Sequence, residues 1–236
     1  MSFLDPYTTW EGGNVRFTRS QASRFAKQVA DDFNPIHDVN AKRFCVPGDL
    51  LFAVLLKRLG LYPRMHFTFS GMVGDGVPLH FKDGEEGQLQ IVDEKGKEYL
   101  RAAYEGEPNQ NEEMIEEITR SYVRFSGHNF PHVLEPLMAR HKVMINIDRP
   151  LVIYESMSLD LDRANVHAPV VEQTGASMEV VGKRGNVSLT FRFLENGKPV
   201  GTGEKKMVLS GLREYDAEVM GQMVAKYDER KRSLKE

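Results

Sequence analysis

The sequence predicts an α+β protein made of two similar modules in tandem, each with an antiparallel sheet and a buried helix. Three observations lead to this prediction. The same order of elements, a helix, a loop, an apolar helix and then strands, occurs in both halves of the chain. The apolar helix of the first half has no polar side, so other structure must enclose it. Each series of alternating segments is interrupted by Gly, Asn or Asp, as antiparallel hairpins are.

The first module is predicted to span 1–105. A helix capped by Ser20 carries an apolar stripe and should stop near Asp32, because the Asn-Pro pair that follows resists the α conformation. The apolar helix comes next, with Asp49 as its predicted cap and Gly60 at its end. Four strands are then predicted, at 67–73, 77–81, 87–93 and 98–105.

The second module is predicted to span 114–212 and to repeat this order. An amphipathic helix at 115–125 leads through a loop to a shorter apolar helix at 133–141. Asn196-Gly197 is the strongest hairpin turn in the chain. The remaining predicted segments are a polar linker at 106–113, strands at 151–161, 176–182, 185–196 and 199–209, and a charged helical tail at 213–236 that we expect to be solvated or frayed.

The composition is that of an ordinary globular protein with no preference for polyanions. Of the 236 residues, 41% are hydrophobic and 28% are charged. The chain has 31 basic residues (Lys and Arg) and 34 acidic residues (Asp and Glu). Nucleic acids and acidic membrane surfaces attract chains with a positive excess, so neither is an expected partner. The single cysteine favours a reducing compartment, the cytoplasm. We expect no signal peptide and no membrane span, since the longest apolar run, 50–56, is far below the ~20 residues a span requires.

One segment stands out chemically, the run Asp32-Phe33-Asn34-Pro35-Ile36-His37, which follows the first helix. Ten residues later Pro47-Gly48 opens the apolar helix. The segment resembles the signature of the MaoC-like hydratases, the (R)-specific 2-enoyl-CoA hydratases, in which Ser-Gly-Asp-x-Asn-Pro-(Ile/Leu)-His precedes a buried helix headed by glycine. That family has the hotdog fold, an antiparallel sheet wrapped around one helix. Some of its members fuse two hotdogs in one chain, so the resemblance implies a double hotdog here.

The resemblance also implies roles for individual residues. Asp32 and His37 match the catalytic pair, with Asp32 as general base and His37 as general acid across the 2,3 double bond of an enoyl thioester, and Asn34 holds the loop and lies near the substrate. Gly48 matches the glycine whose backbone N–H binds the thioester oxygen, as the N-terminus of a helix is suited to do. The expected substrate and partner is an acyl-CoA or another acyl thioester, in fatty acid metabolism, and no cofactor is expected.

Two acids depart from the family pattern. Asp31 stands where the family has glycine, and it either acts electrostatically on Asp32 or points to solvent. Asp49 stands where the family has an apolar residue, and it either opposes a developing enolate or serves as a plain helix cap. The corresponding loop of the second half, 126–132, keeps Ser-Gly, a proline and a histidine but lacks the acid. We interpret it as a degraded copy without catalytic chemistry.

The remaining candidates concern the pocket and other kinds of site. The pocket is expected between the modules, lined by Phe44 and Phe52, and Lys183 and Arg184 are candidates for binding the coenzyme A phosphates. Cys45 is better explained as a small structural thiol than as a nucleophile. No metal site is expected, because the histidines do not show ligand spacing on a shared helical face.

Other functions fit the same fold. In a purely structural interpretation, Asp32 and His37 have no catalytic role and only build a turn. A non-catalytic acyl-thioester-binding protein would keep the loop without the activity. A hotdog thioesterase would use one acid on the central helix, and only Asp49 is placed for that role. A chain with two hotdogs is expected to be a monomer or a homodimer.

Overall fold

The computed structural model describes residues 2–147 and 150–234. The helices of this part of the chain are α1 (Arg19–Gln28), α2 (Gly48–Leu59), α3 (Glu112–Gly127), α4 (Leu134–Arg140) and α5 (Ala217–Ser233). The strands are β1 (Thr9–Glu11), β2 (Asn14–Arg16), β3 (Arg64–Phe69), β4 (Leu79–Asp83), β5 (Gln88–Asp93), β6 (Glu98–Glu105), β7 (Val143–Met144), β8 (Val152–Leu161), β9 (Val170–Val181), β10 (Arg184–Glu195), β11 (Lys198–Ser210) and β12 (Arg213–Glu214).

The main sheet has ten strands in the order β1-β2-β4-β5-β6-β3-β8-β11-β10-β9, and each neighbouring pair is antiparallel. The first half contributes β1-β2-β4-β5-β6-β3, and the second half contributes β8-β11-β10-β9, which is the same order reversed without counterparts of β1 and β2. The halves join where β3 pairs with β8, with Phe67 opposite Met157. This arrangement confirms the α+β class and the double hotdog.

Helix α2 is the central helix of the first half. Every residue from Asp49 to Leu56 is buried, as the continuous apolar run predicts. Phe52 packs edge-on against Phe67 of β3 and against Tyr122 of α3. Gly60 ends the helix with a φ of 91°, which favours glycine. The predicted cap is wrong, because Pro47 precedes the helix and Asp49 lies inside its first turn.

Two apolar cores lie under the sheet. The first contains α2 and the strands of the first half, and it extends into the second half through residues such as Tyr122, Met157 and Phe191. The second core lies between α4, α5 and strands β9 to β11. The first core is therefore shared between the halves.

The turn Asn196-Gly197 joins β10 to β11 as predicted, with φ values of 51° and 76° that belong to a tight hairpin. The first helix differs from the prediction at its start. Its cap is Thr18 and not Ser20, because Thr18 forms a capping box with Gln21. The short strands β1 and β2 were not predicted, since three residues are too few to show an alternation.

The C-terminal segment corrects the prediction of a solvated or frayed tail. Asp216 caps α5 through hydrogen bonds from two backbone N–H groups, and Met220 and Tyr227 on this helix are buried. Near its end, Arg230 donates to the carbonyl of Phe33 at 3.1 Å and pairs with Asp38. The charged residues thus attach α5 to the first half of the chain.

Candidate active site

The loop after α1, residues 29–38, is shaped by its own polar groups. The backbone N–H of Asp32 donates to Ala26 at 2.8 Å, which turns the chain out of the helix. The backbone N–H of Asn34 donates to Asp32 Oδ1 at 2.8 Å, and the Asn34 side chain accepts from Ile36 at 3.2 Å. A single 3₁₀ turn, Pro35–His37, follows. The role of Asn34 seen here is therefore to shape the loop, although it also lines the cavity described below.

This loop brings Asp32 and His37 together. His37 Nε2 lies 3.5 Å from Asp32 Oδ2, and both side chains are mostly but not completely buried. The other ring nitrogen, Nδ1, is 2.7 Å from the carbonyl oxygen of Cys45. A carbonyl oxygen can only accept, so Nδ1 carries a proton and Nε2 faces the carboxylate. The pair can share a proton or bind a water molecule that contacts both groups from the cavity side.

Gly48 begins α2 beside this pair. The first N–H groups of a helix have no partner within the helix, and their dipoles favour negative charge. A Cβ atom at Gly48 would lie 3.1 Å from the rings of Phe69 and Tyr154, so a larger residue would crowd the aromatic wall. The two rings stack on each other with centres 4.0 Å apart.

A cavity of about 900 Å³ opens in front of these groups. This volume is within the range of pockets that enclose a small organic ligand. The loop and α2 form one wall, β8, β11 and the end of α3 form another, and α5 covers a third side. The polar lining includes Asp32, His37, Gly48, Asp49, Ser126 and Lys205, and the apolar lining includes Phe130, Leu134, Ile145, Leu151, Ile153, Met207, Val219 and Met223.

A buried polar cluster stands in the cavity wall. Ser126 Oγ lies 2.9 and 2.8 Å from the two carboxylate oxygens of Asp49 and donates its proton to them. Lys205 Nζ donates to Ser126 Oγ at 2.6 Å and to the Ser126 carbonyl at 3.2 Å. Beside them the hydroxyls of Tyr122 and Tyr154 are hydrogen-bonded to each other. We call Asp49, Ser126 and Lys205 the buried triad.

The electrostatics of the triad follow from its burial. Burial raises the pKa of the Asp49 carboxyl, and the charge of Lys205 and the hydrogen bond from Ser126 oppose that shift. Burial lowers the pKa of Lys205, and the charges of Asp49 and Asp32 oppose it. Burial also raises the pKa of Tyr122 and Tyr154 well above the ordinary value, so both phenols are neutral donors and acceptors.

The structure decides against one of the two alternatives that the sequence left open for Asp31. It is only 8% exposed, so it does not point to solvent. Its carboxylate is hydrogen-bonded to His128 and lies 2.8 Å from Lys231 Nζ. Asp31 therefore ties the loop to the second half of the chain and to α5. His128, from the degraded loop, has a structural partner and no contact with the cavity among the described residues.

Four of the residues predicted to bind substrate lie elsewhere in the described structure. Phe52 is completely buried in the core, because it lies on the side of α2 that faces β3 and α3. Phe44 lies under the guanidinium of Arg19, 4.9 Å from its ring centre, and does not line the cavity. Lys183 and Arg184 are exposed at the β9–β10 turn, where Arg184 pairs with Glu155, and neither reaches the cavity.

Several residues of the site could not be found by sequence reasoning. Lys205 is one of many lysines and lies on a strand that alternates as expected, with nothing to mark it as buried. Likewise, nothing in the sequence indicates that Tyr154 or one side of α5 lines the cavity. Only Ser126-Gly127, which resembles the Ser-Gly of the MaoC-like signature, offered a usable indication in the sequence.

Gly127 has a packing role that requires glycine. A Cβ atom at this position would lie 1.9 Å from the carbonyl oxygen of Ala30. The end of α3 therefore packs directly on the backbone of the Asp32 loop, and only glycine permits this contact. The described residues contain no group of His, Cys, Asp or Glu side chains arranged to hold a metal. Over the same residues, no helix combines the length and apolarity needed to cross a bilayer.

Comparison with known proteins gives one family and several similar folds. A family model described as "Protein of unknown function (DUF3581)" matches residues 2–218. No curated protein matches the sequence.

Three solved structures are similar to this chain at low sequence identity. A tesB protein of Mycobacterium avium subspecies paratuberculosis has 12% identity and a TM-score of 0.44, over 72% of this chain and 89% of that chain. An acyl-CoA thioesterase II of Mycobacterium marinum has 10% identity and a TM-score of 0.41, over 90% of this chain and 97% of that chain. A MaoC-like dehydratase has 10% identity and a TM-score of 0.44, over 87% and 98%. Identities this low transfer no activity to this chain.

Proposed function

The chain belongs to the DUF3581 family, and we propose that it is a hydratase or dehydratase that adds or removes water at the 2,3 position of an acyl thioester. The observation that carries this proposal is the pairing of Asp32 with His37, at 3.5 Å, on the wall of a cavity that also exposes the start of α2 at Gly48. Water addition needs a base, an acid and a site for negative charge, and these three features stand together.

The reaction can be written with the groups that are present. A water molecule binds on the cavity side, within hydrogen-bonding distance of both Asp32 Oδ2 and His37 Nε2. The Asp32 carboxylate takes one proton, and the water oxygen bonds to C3 of the enoyl thioester. The electrons of the double bond move toward the thioester oxygen, which the N–H groups at the start of α2 stabilise. C2 then takes a proton from Nε2 of protonated His37, and the proton on Asp32 returns to His37.

The second half and α5 supply the binding surface. Their contribution to the cavity is mainly apolar and comes from aliphatic side chains of β8, β11 and α5. A hydrocarbon chain that binds there is removed from water, which favours binding by about 0.8 kcal/mol of free energy per methylene group. This supports an acyl group longer than the four carbons of crotonate as the preferred substrate.

The first test measures hydration of crotonyl-CoA and of a longer trans-2-enoyl-CoA by the loss of the enoyl absorbance. We expect Asp32→Asn and His37→Ala to lower kcat by about 10²- to 10⁴-fold, the usual contribution of a positioned acid or base. His132→Ala, an exposed histidine of the degraded loop, and Asp75→Asn, an exposed surface acid, serve as matched controls and should keep full activity.

Two outcomes would contradict the proposal. Wild-type protein that hydrates neither substrate, yet binds acyl-CoA as tightly as Asp32→Asn does, would indicate a non-catalytic binding protein. Full activity in Asp32→Asn or His37→Ala would show that the pair only builds the turn.

A thioesterase is the second candidate, because Asp49 lies in the first turn of α2 and on the cavity wall. Both of its carboxylate oxygens already accept from Ser126, which argues against its activating a water molecule. Release of free thiol from saturated acyl-CoA separates the candidates. A thioesterase would release thiol, lose this activity in Asp49→Asn and keep it in Asp32→Asn.

A further inference from the structure

The buried triad joins the two halves of the chain at the proposed active site. Asp49 belongs to α2, Ser126 to α3 and Lys205 to β11. Their exposed fractions are only 7%, 3% and 4%. All three line the same cavity as Asp32 and His37.

The hydrogen bonds of the triad form a chain with a definite direction. Lys205 Nζ donates to Ser126 Oγ at 2.6 Å, and Ser126 Oγ donates to both oxygens of Asp49 at 2.9 and 2.8 Å. The serine hydroxyl therefore connects an ammonium group to a carboxylate. Such a chain leaves neither charge without a partner in a buried wall.

The net charge of the triad is zero in either protonation state. Asp49 and Lys205 together carry one negative and one positive charge, or neither charge if the proton moves from the ammonium to the carboxylate. Removing Lys205 alone would leave a buried carboxylate that is either unpaired or forced to bind a proton.

The triad also lies next to the place where negative charge would develop. Asp49 directly follows Gly48 in the first turn of α2. Lys205 Nζ lies 4.3 Å from the ring centre of Tyr154, the ring that packs on Gly48. An uncompensated carboxylate at this position would repel an oxyanion held by the start of α2.

We propose that Lys205 is a positioning residue for the hydration reaction, which acts through Ser126 to neutralise Asp49 so that the start of α2 can hold a negatively charged thioester oxygen. This inference rests on the proposed function, and it adds a role for the second half of the chain. Lys205 does not touch the reacting atoms, and its effect on them is electrostatic. The acid that departs from the hydratase pattern at Asp49 is thus balanced by a lysine 156 positions later in the chain.

The test is a double-mutant cycle on Asp49 and Lys205, with hydration of a trans-2-enoyl-CoA as the readout. We expect Lys205→Met to lower kcat by about 30-fold or more while KM changes less than about threefold, because the oxyanion forms only in the transition state. Asp49→Asn is the other single variant of the cycle, and it should lose less kcat than Lys205→Met, because it leaves no negative charge beside the start of α2. The double variant Asp49→Asn with Lys205→Met no longer has the unpaired acid. Its kcat should be at least about tenfold higher than that of Lys205→Met, because the start of α2 can again stabilise the oxyanion.

Controls separate this role from a structural one. Lys206→Met, next on the same strand but exposed and paired with Glu204, should leave kcat and KM unchanged. Lys205→Gln, which keeps a donor for Ser126 but carries no charge, is measured alongside, so the test does not depend on one variant folding. It should be impaired like Lys205→Met and should likewise recover with Asp49→Asn.

The outcomes distinguish this inference from the proposed function. Wild-type protein that does not hydrate enoyl thioesters overturns the proposed function and the role of Lys205 with it. An active wild type with full kcat in Lys205→Met and Lys205→Gln overturns the inference alone. The same holds if Lys205 variants are impaired but gain nothing from Asp49→Asn, since their defect would then be structural.

Discussion

At the scale of single residues, the site depends on short local contacts. The Cys45 carbonyl fixes the proton on His37 Nδ1, and the Asn34 backbone N–H occupies one oxygen of Asp32. Both contacts lie within a loop of fewer than twenty residues, between α1 and α2. The pairing of Asp32 with His37 was therefore predictable from a local motif, and its catalytic role stays a proposal.

Cys45 offers a test that is independent of activity. It is 8% exposed, and burial raises the pKa of its thiol to about 11. At pH 8 only about one thiol in a thousand is ionised, so we expect native protein to react with Ellman's reagent far more slowly than denatured protein. Equal rates in the native and denatured states would contradict the buried position.

The same shift predicts how stability depends on pH. The native thiol keeps its proton up to about pH 11, whereas the unfolded thiol loses it near 9.0. The native state binds more protons in this window, so the free energy of unfolding should fall as the pH rises from about 9 to 11. Denaturant unfolding of wild type and Cys45→Ala gives the comparison. The wild type should lose about 2 to 3 kcal/mol more than the variant across the window.

At the scale of elements, close contacts between segments position the loop. The last residue of α3, Gly127, touches the backbone of Ala30, and α5 reaches the same loop through Arg230 and Lys231. The predicted amphipathic stripe of α3 and strands β8, β10 and β11 agree with the structure to within a few residues, whereas β9 begins six residues before the predicted start. Strong periodicity over many residues explains this agreement.

Two helical glycines form a matched pair that tests the contact between α3 and the loop. Gly127→Ala would place a Cβ atom 1.9 Å from a backbone oxygen, so we expect it to destabilise the protein by at least about 3 kcal/mol and to displace Asp32. Gly221→Ala, in α5 with no atom within 4 Å of the added carbon, should instead stabilise by about 0.5 to 1 kcal/mol. Thermal unfolding measures both, and a neutral Gly127→Ala would refute the close contact.

At the scale of the whole molecule, the core of the first hotdog is not confined to that hotdog. The core around α2 includes Tyr122, Met157 and Phe191 from the second half, and the sheet continues through the β3–β8 pair. The proposed module boundaries therefore describe the repeat in the sequence. We expect the folding unit to be the whole chain.

Fragments test this expectation. The fragment 1–110 would expose the β3 edge and the side of α2 that packs on α3, so we expect it not to fold alone. Mixing it with 111–236 should restore the sheet signal in circular dichroism. A flexible insertion after Glu107, which is exposed, is the control and should leave one cooperative transition. A cooperative transition of 1–110 by itself would show that the halves are independent.

The sequence by itself determined the order of the main elements, the double hotdog and the Asp32–His37 loop. These features depend on local periodicity, turn residues and a short motif, which neighbouring residues specify. Only the tertiary structure decided that Asp49, Ser126 and Lys205 meet, that α5 covers the cavity and that Phe44, Phe52, Lys183 and Arg184 lie outside its described lining. The physical reason is distance along the chain: the partners of the buried triad are 77 and 79 residues apart, and no local pattern records contacts made across two modules.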